Sequence, residues 1–358
     1  MKRICSILLL TTLSAASSVA QTAGYKAQIS QLDKNIYTVF YDKPTGLYLE
    51  TNNVAENKGQ HSYLWPLTAL LQAANEQESL APGKQHIAQV MKAINQYYSG
   101  RAPAPGYQAM VVKEKADTRF YDDNEWIAIA LMDAYNRTHN QQYLETSKLI
   151  YRFLLTGYDE ATGGGFYWEE GNLKSKNTCS NGPAILVALR LYQATKQQNY
   201  LDTAIKVYSW TKRNLLSPTG VYFDNIRVPS LKIDSALYTY NAGTMMQSAV
   251  LLYNITRNNA YLTDAINLAN ASEKQFYRNG KLPDNYWFNA VLLRGYLELY
   301  KVDKNKQRLQ FFINDANRIW KEEKDDRGFV GRKSVKTLID QSAMLEIYAR
   351  LQELQLEK

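Results

Sequence analysis

The chain has 358 residues, of which 45% are hydrophobic, and a formal charge of +8. This composition supports a large core, and the absence of a basic run interleaved with aromatic residues argues against a nucleic-acid groove. The three histidines are widely spaced and Cys179 is the one cysteine outside the N-terminal segment. The sequence therefore predicts no metal site, no disulfide and no cofactor.

The N-terminus has the features of a secretory signal peptide. Lys2 and Arg3 precede a short apolar run, and small residues lead up to Ala20. We expect cleavage after Ala20, which leaves residues 21–358 as a single domain. The apolar run is shorter than the roughly 20 residues that a permanent membrane anchor requires. The mature protein is expected to be an exported monomer without membrane insertion, located in the periplasm, at the cell surface or in the medium.

Hydrophobic periodicity of about 3.6 residues predicts helices along nearly the whole chain. The predicted helices cover residues 24–41, 61–79, 84–98, 123–138, 141–155, 179–196, 199–216, 237–257, 260–276, 285–301, 305–323 and 333–354. The connections after the second, fourth, sixth, eighth and tenth helices are tight. Three of them share a sequence pattern that begins at Thr138, Thr195 and Thr256. This recurrence indicates a repeated helical hairpin.

The remaining connections are long and rich in glycine, proline, asparagine and aromatic residues, and each precedes an even-numbered helix. They cover residues 42–60, 99–122, 156–178, 217–236, 277–284 and 324–332. Six hairpins closed into a ring place all the long connections on one rim. We therefore predict an all-α fold, an (α/α)6 barrel of six helical hairpins with the even helices inside; an open α-solenoid is the alternative. Functional residues are expected on the long-loop rim, because loops on a rigid scaffold carry most sites.

Polar and aromatic residues gather at this rim. The candidate substrate-binding residues are His61, Trp65, Trp126, Gly164, Trp168, Asn177, Asn181, Asp234, Tyr240, Asn241 and Trp287. Aromatic faces stack on sugar rings, whereas asparagine and histidine bond sugar hydroxyls. The combination favours a carbohydrate-binding cleft.

Structural roles remain open as alternatives for these candidates. Trp126 fits core packing within a helix, and His61 fits a cap or brace of its own helix. The glycine run 163–165 lacks the Gly-Lys-Ser/Thr continuation of a phosphate loop and fits a flexible turn. Asn177 and Asn181, at the start of the sixth helix, suit helix caps, and the pair Tyr240–Asn241, at the start of the eighth, suits a buried hydrogen-bonded bracket.

Asp122 and Asp123 stand side by side in the segment RFYDDNEW, where a predicted inner helix begins. One explanation is a capping box, with Asp122 as N-cap and Glu125 three residues later. The other is catalysis, because glycoside hydrolysis needs one ionised and one protonated carboxyl, and the first ionisation raises the pKa of its neighbour. Adjacent Cα atoms are about 3.8 Å apart. Diverging side chains then suit the roughly 5–5.5 Å carboxyl separation of a retaining enzyme better than the wider gap of an inverting one.

The motif Asp-Asp-Asn-Glu-Trp at residues 122–126 resembles the catalytic motif of glycoside hydrolase family 76, the endo-α-1,6-mannanases. The resemblance continues in TGGGFYW, NTCSNGPAILVALRLYQAT and YTYNAG, and covers residues from about 60 to 300. Ala242 and the segment QHSYLWP depart from the family pattern. Neither departure touches the aspartate pair.

The resemblance implies an (α/α)6 barrel that cleaves internal α-1,6-mannosidic linkages of α-mannan or manno-oligosaccharides. It implies Asp122 as nucleophile and Asp123 as general acid/base. Two other functions remain open on the sequence. One is an unsaturated glucuronyl hydrolase of the same fold class, which the positive net charge would suit, and the other is a catalytically inactive glycan-binding protein.

Overall fold

The computed structural model describes residues 24–283 and 285–356, so the predicted signal peptide, residues 1–20, lies outside the described residues. The helices are α1 (Lys26–Asn35), α2 (Val54–Asn57), α3 (Leu64–Leu80), α4 (His86–Ile94), α5 (Tyr121–Thr138), α6 (Gln141–Leu154), α7 (Thr178–Thr195), α8 (Gln198–Leu215), α9 (Thr239–Thr256), α10 (Asn259–Phe276), α11 (Tyr286–Asp303), α12 (Gln310–Glu322) and α13 (Leu338–Leu356). The strands are β1 (Tyr41–Asp42), β2 (Leu47–Tyr48), β3 (Tyr98–Ser99), β4 (Gly106–Tyr107), β5 (Ser175–Asn177), β6 (Phe223–Arg227) and β7 (Ile233–Leu237). No helix in these two ranges is both long and apolar enough to cross a membrane.

Six inner helices form a closed ring. The helices α3, α5, α7, α9, α11 and α13 each contact the next, and α13 contacts α3. These helices are buried over most of their length, because apolar and small residues occupy nearly all their faces. Outer helices such as α4, α6 and α12 carry an apolar stripe on one side only. The predicted (α/α)6 barrel is confirmed, and the open solenoid is wrong because the last inner helix meets the first.

The tight turns owe their repeated sequence to one threonine. The Thr138 hydroxyl donates to the carbonyl of Ala134 at 2.8 Å and accepts from the backbone N–H of Asn140 at 3.3 Å. Thr195 and Thr256 make the equivalent two bonds at the ends of α7 and α9. Each turn then continues through a residue with positive φ, the conformation that commonly ends a helix. The repeated sequence pattern therefore reflects the hydrogen bonds that each tight turn requires.

A three-stranded antiparallel sheet stands on the long-loop rim, where the sequence predicted only irregular connections. Its order is β5-β6-β7. The register places Asn177 opposite Asn225, and Asn225 opposite Asp234. The strands are short, and β5 comes from a distant part of the chain, so periodicity within one segment did not reveal them.

A buried charge network joins inner helices toward the tight-turn end of the barrel. Asp133 of α5 accepts from Arg294 of α11 at 2.7 Å, and its other oxygen lies 3.4 Å from Arg190 of α7. Arg350 of α13 lies 3.0 Å from Glu76 of α3. The network borders a cavity of about 280 Å³. Charged groups thus replace apolar packing at this level of the barrel.

Candidate active site

A cleft of about 600 Å³ opens on the long-loop rim, over the N-terminal ends of the inner helices. Its lining residues are Glu50, Tyr63, Trp65, Pro66, Ala109, Phe120, Asp122, Asp123, Trp126, Trp168, Ser175, Asn177, Cys179, Asp224, Asn225, Arg227, Asp234, Tyr238, Tyr240, Trp287 and Phe288. The first turns of α3, α5, α7, α9 and α11 supply the floor, and the β5-β6-β7 sheet supplies one wall.

The structure brings together most of the residues singled out in the sequence. Both aspartates line the cleft, with seven of the eleven candidate substrate-binding residues: Trp65, Trp126, Trp168, Asn177, Asp234, Tyr240 and Trp287. The other four candidates, His61, Gly164, Asn181 and Asn241, lie outside its lining.

His61 and Asn181 brace the rim. The His61 Nε2 atom lies 3.2 Å from Asp42 Oδ2, and its Nδ1 contacts the Glu114 carboxylate. Asn181 is fully buried and bonds the backbone of Phe166 twice: its Oδ1 accepts at 2.8 Å and its Nδ2 donates at 3.0 Å. The polar atoms of both side chains thus bond neighbouring segments of the rim.

Gly164 and Asn241 also lie outside the cleft lining. The Gly164 carbonyl accepts from Lys176 Nζ at 2.8 Å, and a Cβ at this residue would lie 3.3 Å from the Trp210 ring. Its φ of +124° further favours glycine. Asn241 is fully buried. Burial raises the pKa of Asp224, and the Asn241 side chain partly offsets that rise.

Asp122 and Asp123 lie inside the first turn of α5, which begins at Tyr121. The residue in the N-cap position is Phe120, and no side chain caps the helix. The capping-box interpretation is therefore wrong. Its physical reason is the β-bridge between Phe120 and Glu169, which fixes the chain entering the helix, and the helix starts two residues earlier than the capping box requires.

The surroundings of the two aspartates push their pKa values upward to different extents. Burial raises the pKa of Asp122 to about 6, while the Trp168 indole N–H, 3.1 Å from Oδ2, and the Cys179 thiol act to lower it. Burial and the charge of Asp122 raise the pKa of Asp123 well above its usual range. These shifts favour a single proton shared by the pair, with Asp122 the more readily ionised carboxyl.

Glu125 adds a third carboxyl behind the pair. It is fully buried, and neither of its oxygens forms a hydrogen bond with a described residue. Burial, then the charges of Asp122 and Asp123, raise its pKa well above 4.5. A neutral acid at this position spares the pair a further negative charge.

We expect Glu125→Gln to raise the melting temperature by an amount that grows as the pH rises above about 4.5. The unfolded chain ionises this carboxyl near pH 4.5, whereas the folded protein keeps it protonated, so only the wild type loses stability as the pH rises toward the folded pKa. Thermal unfolding of both proteins across a pH series measures the difference. Glu145→Gln, on the exposed side of α6, is the control; an unchanging gap between wild type and Glu125→Gln would contradict the prediction.

Aromatic side chains form the floor of the cleft. The Trp287 ring lies edge-on to Trp126 at 4.9 Å and to Trp65 at 5.3 Å, and Phe288 lies 4.1 Å from Tyr240. Trp126 and Trp287 are each only 2% exposed, so both serve the core while presenting an edge to the cleft. Trp168 is 38% exposed and offers the most accessible indole.

Several residues that line the cleft were not among the candidates from the sequence. Asp224 and Arg227 of β6 line the cleft, as do Glu50 and the Cys179 thiol. The hairpin signal that could have located the β6 pair is the Val-Pro-Ser turn between FDNIR and KIDSAL. Across the described ranges, no cluster of three or more His, Cys, Asp or Glu side chains is arranged to hold a metal ion.

Arg119 is a further residue that the sequence did not reveal. Its side chain is fully buried and donates from Nε to Glu170 at 2.8 Å. The guanidinium also donates to the carbonyls of Ala104 at 2.8 Å and Ala102 at 3.1 Å. One side chain thereby fastens two rim loops to the segment that starts α5.

Comparison with known proteins identifies relatives over nearly the full length. The family model described as Glycosyl hydrolase family 76 matches residues 25–327. A family 76 α-mannanase structure from Bacteroides thetaiotaomicron superposes with a TM-score of 0.87 at 27% identity, covering 93% of this chain and 96% of that one. A family 76 mannosidase structure from the same species gives 0.83 at 25% identity, covering 92% of this chain and 98% of the other.

A curated relative is similar in sequence to this chain over a shorter region. A mannan endo-1,6-alpha-mannosidase of Saccharomyces cerevisiae is 29% identical over 179 residues. The aligned region covers 46% of this chain and 40% of the yeast protein. The chain thus matches less than half the length of this relative.

Proposed function

This chain belongs to glycosyl hydrolase family 76, and we propose that it cleaves internal α-1,6-mannosidic linkages of an α-mannan with retention of anomeric configuration. The observation that carries the proposal is the pair Asp122–Asp123 in an aromatic cleft, with one carboxyl poised as the base form and the other as the acid. The names of the α-mannanase and mannosidase relatives supply the sugar and the linkage.

The proposed reaction is a double displacement. Asp122 attacks the anomeric carbon while Asp123 gives its proton to the departing glycosidic oxygen, so the C–O bond breaks as the glycosyl-enzyme bond forms. Asp123, now a carboxylate, takes a proton from water, which attacks the anomeric carbon and releases Asp122. The starting protonation states required of the two carboxyls are those their surroundings favour.

The charges of the cleft distinguish this proposal from the glucuronyl alternative. The lining contains the carboxyl groups of Glu50, Asp122, Asp123, Asp224 and Asp234 but one arginine, Arg227. These carboxyl groups would repel the carboxylate of a uronic acid, whereas a neutral mannan carries no charge for them to repel. The positive net charge of the chain is thus carried outside the cleft lining. Since the N-terminal segment has signal-peptide features, we propose that the enzyme meets its mannan after export.

The stereochemistry of the first product tests the mechanism. We expect the α-anomer from unbranched α-1,6-mannan, followed by proton NMR before mutarotation, because two displacements restore the configuration. Sizing of early products should show internal cleavage into oligosaccharides. The β-anomer would establish inversion and require a more distant base, with Asp234 as the first candidate. Saturable binding without any product would establish a glycan-binding protein.

A further inference from the structure

We infer that Trp168 is a positioning residue for Asp122, holding the carboxylate through its indole N–H in addition to presenting its ring to the cleft. The inference rests on the proposed function, in which Asp122 is the nucleophile. It assigns to one side chain two separable properties, a hydrogen-bond donor and an apolar face.

The carboxylate of Asp122 is held at both oxygens. Its Oδ2 accepts from Trp168 Nε1 at 3.1 Å, and its Oδ1 accepts from the backbone N–H of Asp123 at 3.1 Å. A carboxylate offers about four lone-pair directions. The Cys179 thiol also bonds this carboxylate. These donors together fix the plane of the carboxylate, and the Trp168 N–H is the one supplied by a rim loop.

The indole is held firmly enough for this task. The Trp168 carbonyl accepts from the backbone N–H of Tyr121 at 3.0 Å, and the backbone N–H of Glu170 donates to the Arg119 carbonyl at 3.0 Å. These bonds lie on either side of Phe120, whose ring contacts the indole at 4.8 Å between centroids. The segment carrying the donor and the helix turn carrying the acceptor are thus paired through their backbones.

The donor has a predictable electrostatic effect. Burial raises the pKa of Asp122 to about 6, and the Trp168 N–H counteracts that rise because it bonds the charged form. Without this donor the carboxyl would hold its proton to a higher pH. A nucleophile must be ionised to attack, so loss of the donor reduces turnover most strongly at acidic pH.

Trp168→Phe separates the two properties, because phenylalanine retains an aromatic face and lacks the N–H. In the pH dependence of kcat/KM on α-1,6-manno-oligosaccharides, we expect the acidic limb to move upward by roughly 0.5–1 pH unit, the size of one hydrogen bond's net effect. Activity below the limb falls by roughly 3- to 10-fold and recovers toward neutral pH. Trp65→Phe is the matched control: this indole also lines the cleft, and its variant keeps the wild-type limb whatever happens to KM.

A second measurement keeps the inference independent of turnover. Carbon NMR titration of ¹³C-labelled aspartate carboxyls, with Asp122→Asn to assign the resonance, should show a higher pKa for Asp122 in Trp168→Phe than in wild type. A wild type inactive on α-mannan would overturn the proposed function alone. An Asp122 titration that is identical in wild type and in a folded Trp168→Phe would overturn this inference, and Trp168 would then serve only as a stacking surface.

Discussion

Asp122→Ala abolishes turnover of α-1,6-mannan, with an expected loss of roughly 10⁴- to 10⁶-fold, the range found when a nucleophile is removed from a catalytic unit. No glycosyl-enzyme can form without this carboxylate, and Asp123, whose pKa burial raises, is assigned as the general acid. The measurement is the rate of release of reducing ends by purified, folded variant. Thermal unfolding in parallel shows whether the fold is intact.

Asp123→Ala is the matched comparison, since it removes the other carboxyl from the same helix turn. Its loss on mannan should be about 10²- to 10⁴-fold, the usual contribution of a general acid. On aryl manno-oligosaccharides whose leaving group needs no proton, the first step should recover. Equal losses on both substrate types would contradict the assignment of Asp123 as the acid. A folded Asp122→Ala that retained a few per cent of turnover would remove Asp122 as the nucleophile.

The barrel was predictable because its determinants are local. Each helix of this barrel is recognised from its hydrophobic period of about 3.6 residues. Three of the tight turns are recognised from a threonine that bonds nearby backbone groups, as Thr138 bonds Ala134 and Asn140. Closure of the ring followed from counting six hairpins. The ring is closed by the contact between α13 and α3. This contact joins residues more than 250 positions apart, so no local sequence pattern indicates it.

The site was predictable in part. The aspartate pair was visible because its two members are adjacent in sequence, and the aromatic residues because they cluster at helix starts. The sheet wall was missed because β5 pairs with β6 across about fifty intervening residues. His61 was placed in the cleft because its partners Asp42 and Glu114, distant in the chain, could not be foreseen.

The capping alternative was excluded by a contact of the same non-local kind. The spacing of Asp122 and Glu125 fits a capping box, and local rules alone would keep it. The bridge from Phe120 to Glu169 overrides them by holding the chain that enters α5, and leaves both carboxyls free for other roles. Sequence rules fail here where the active site imposes a non-local constraint.

Stability of the barrel should depend strongly on the charge network at its other end. The side chain of Asp133 faces Arg294, which is only 2% exposed, and Arg190. Burial raises the pKa of Asp133, but these two arginines, with Arg350 and Lys301, outweigh burial and hold its pKa below the usual value. The carboxylate therefore contributes stability above about pH 3.8, which is lost as the pH falls through the folded pKa.

Asp133→Ala should lower the free energy of unfolding by about 3–5 kcal/mol, because it leaves buried guanidinium groups without their shared partner. Urea denaturation at neutral pH measures the loss. The control is Glu145→Ala, which breaks the exposed pair with Lys148 and should cost less than about 1 kcal/mol. Catalysis by the folded fraction should persist, since Asp133 is not part of the cleft lining. If the two variants lost equal stability, the remaining partners of Arg294, Gln72 and Glu346, would suffice for it, and Asp133 would not hold the inner helices together.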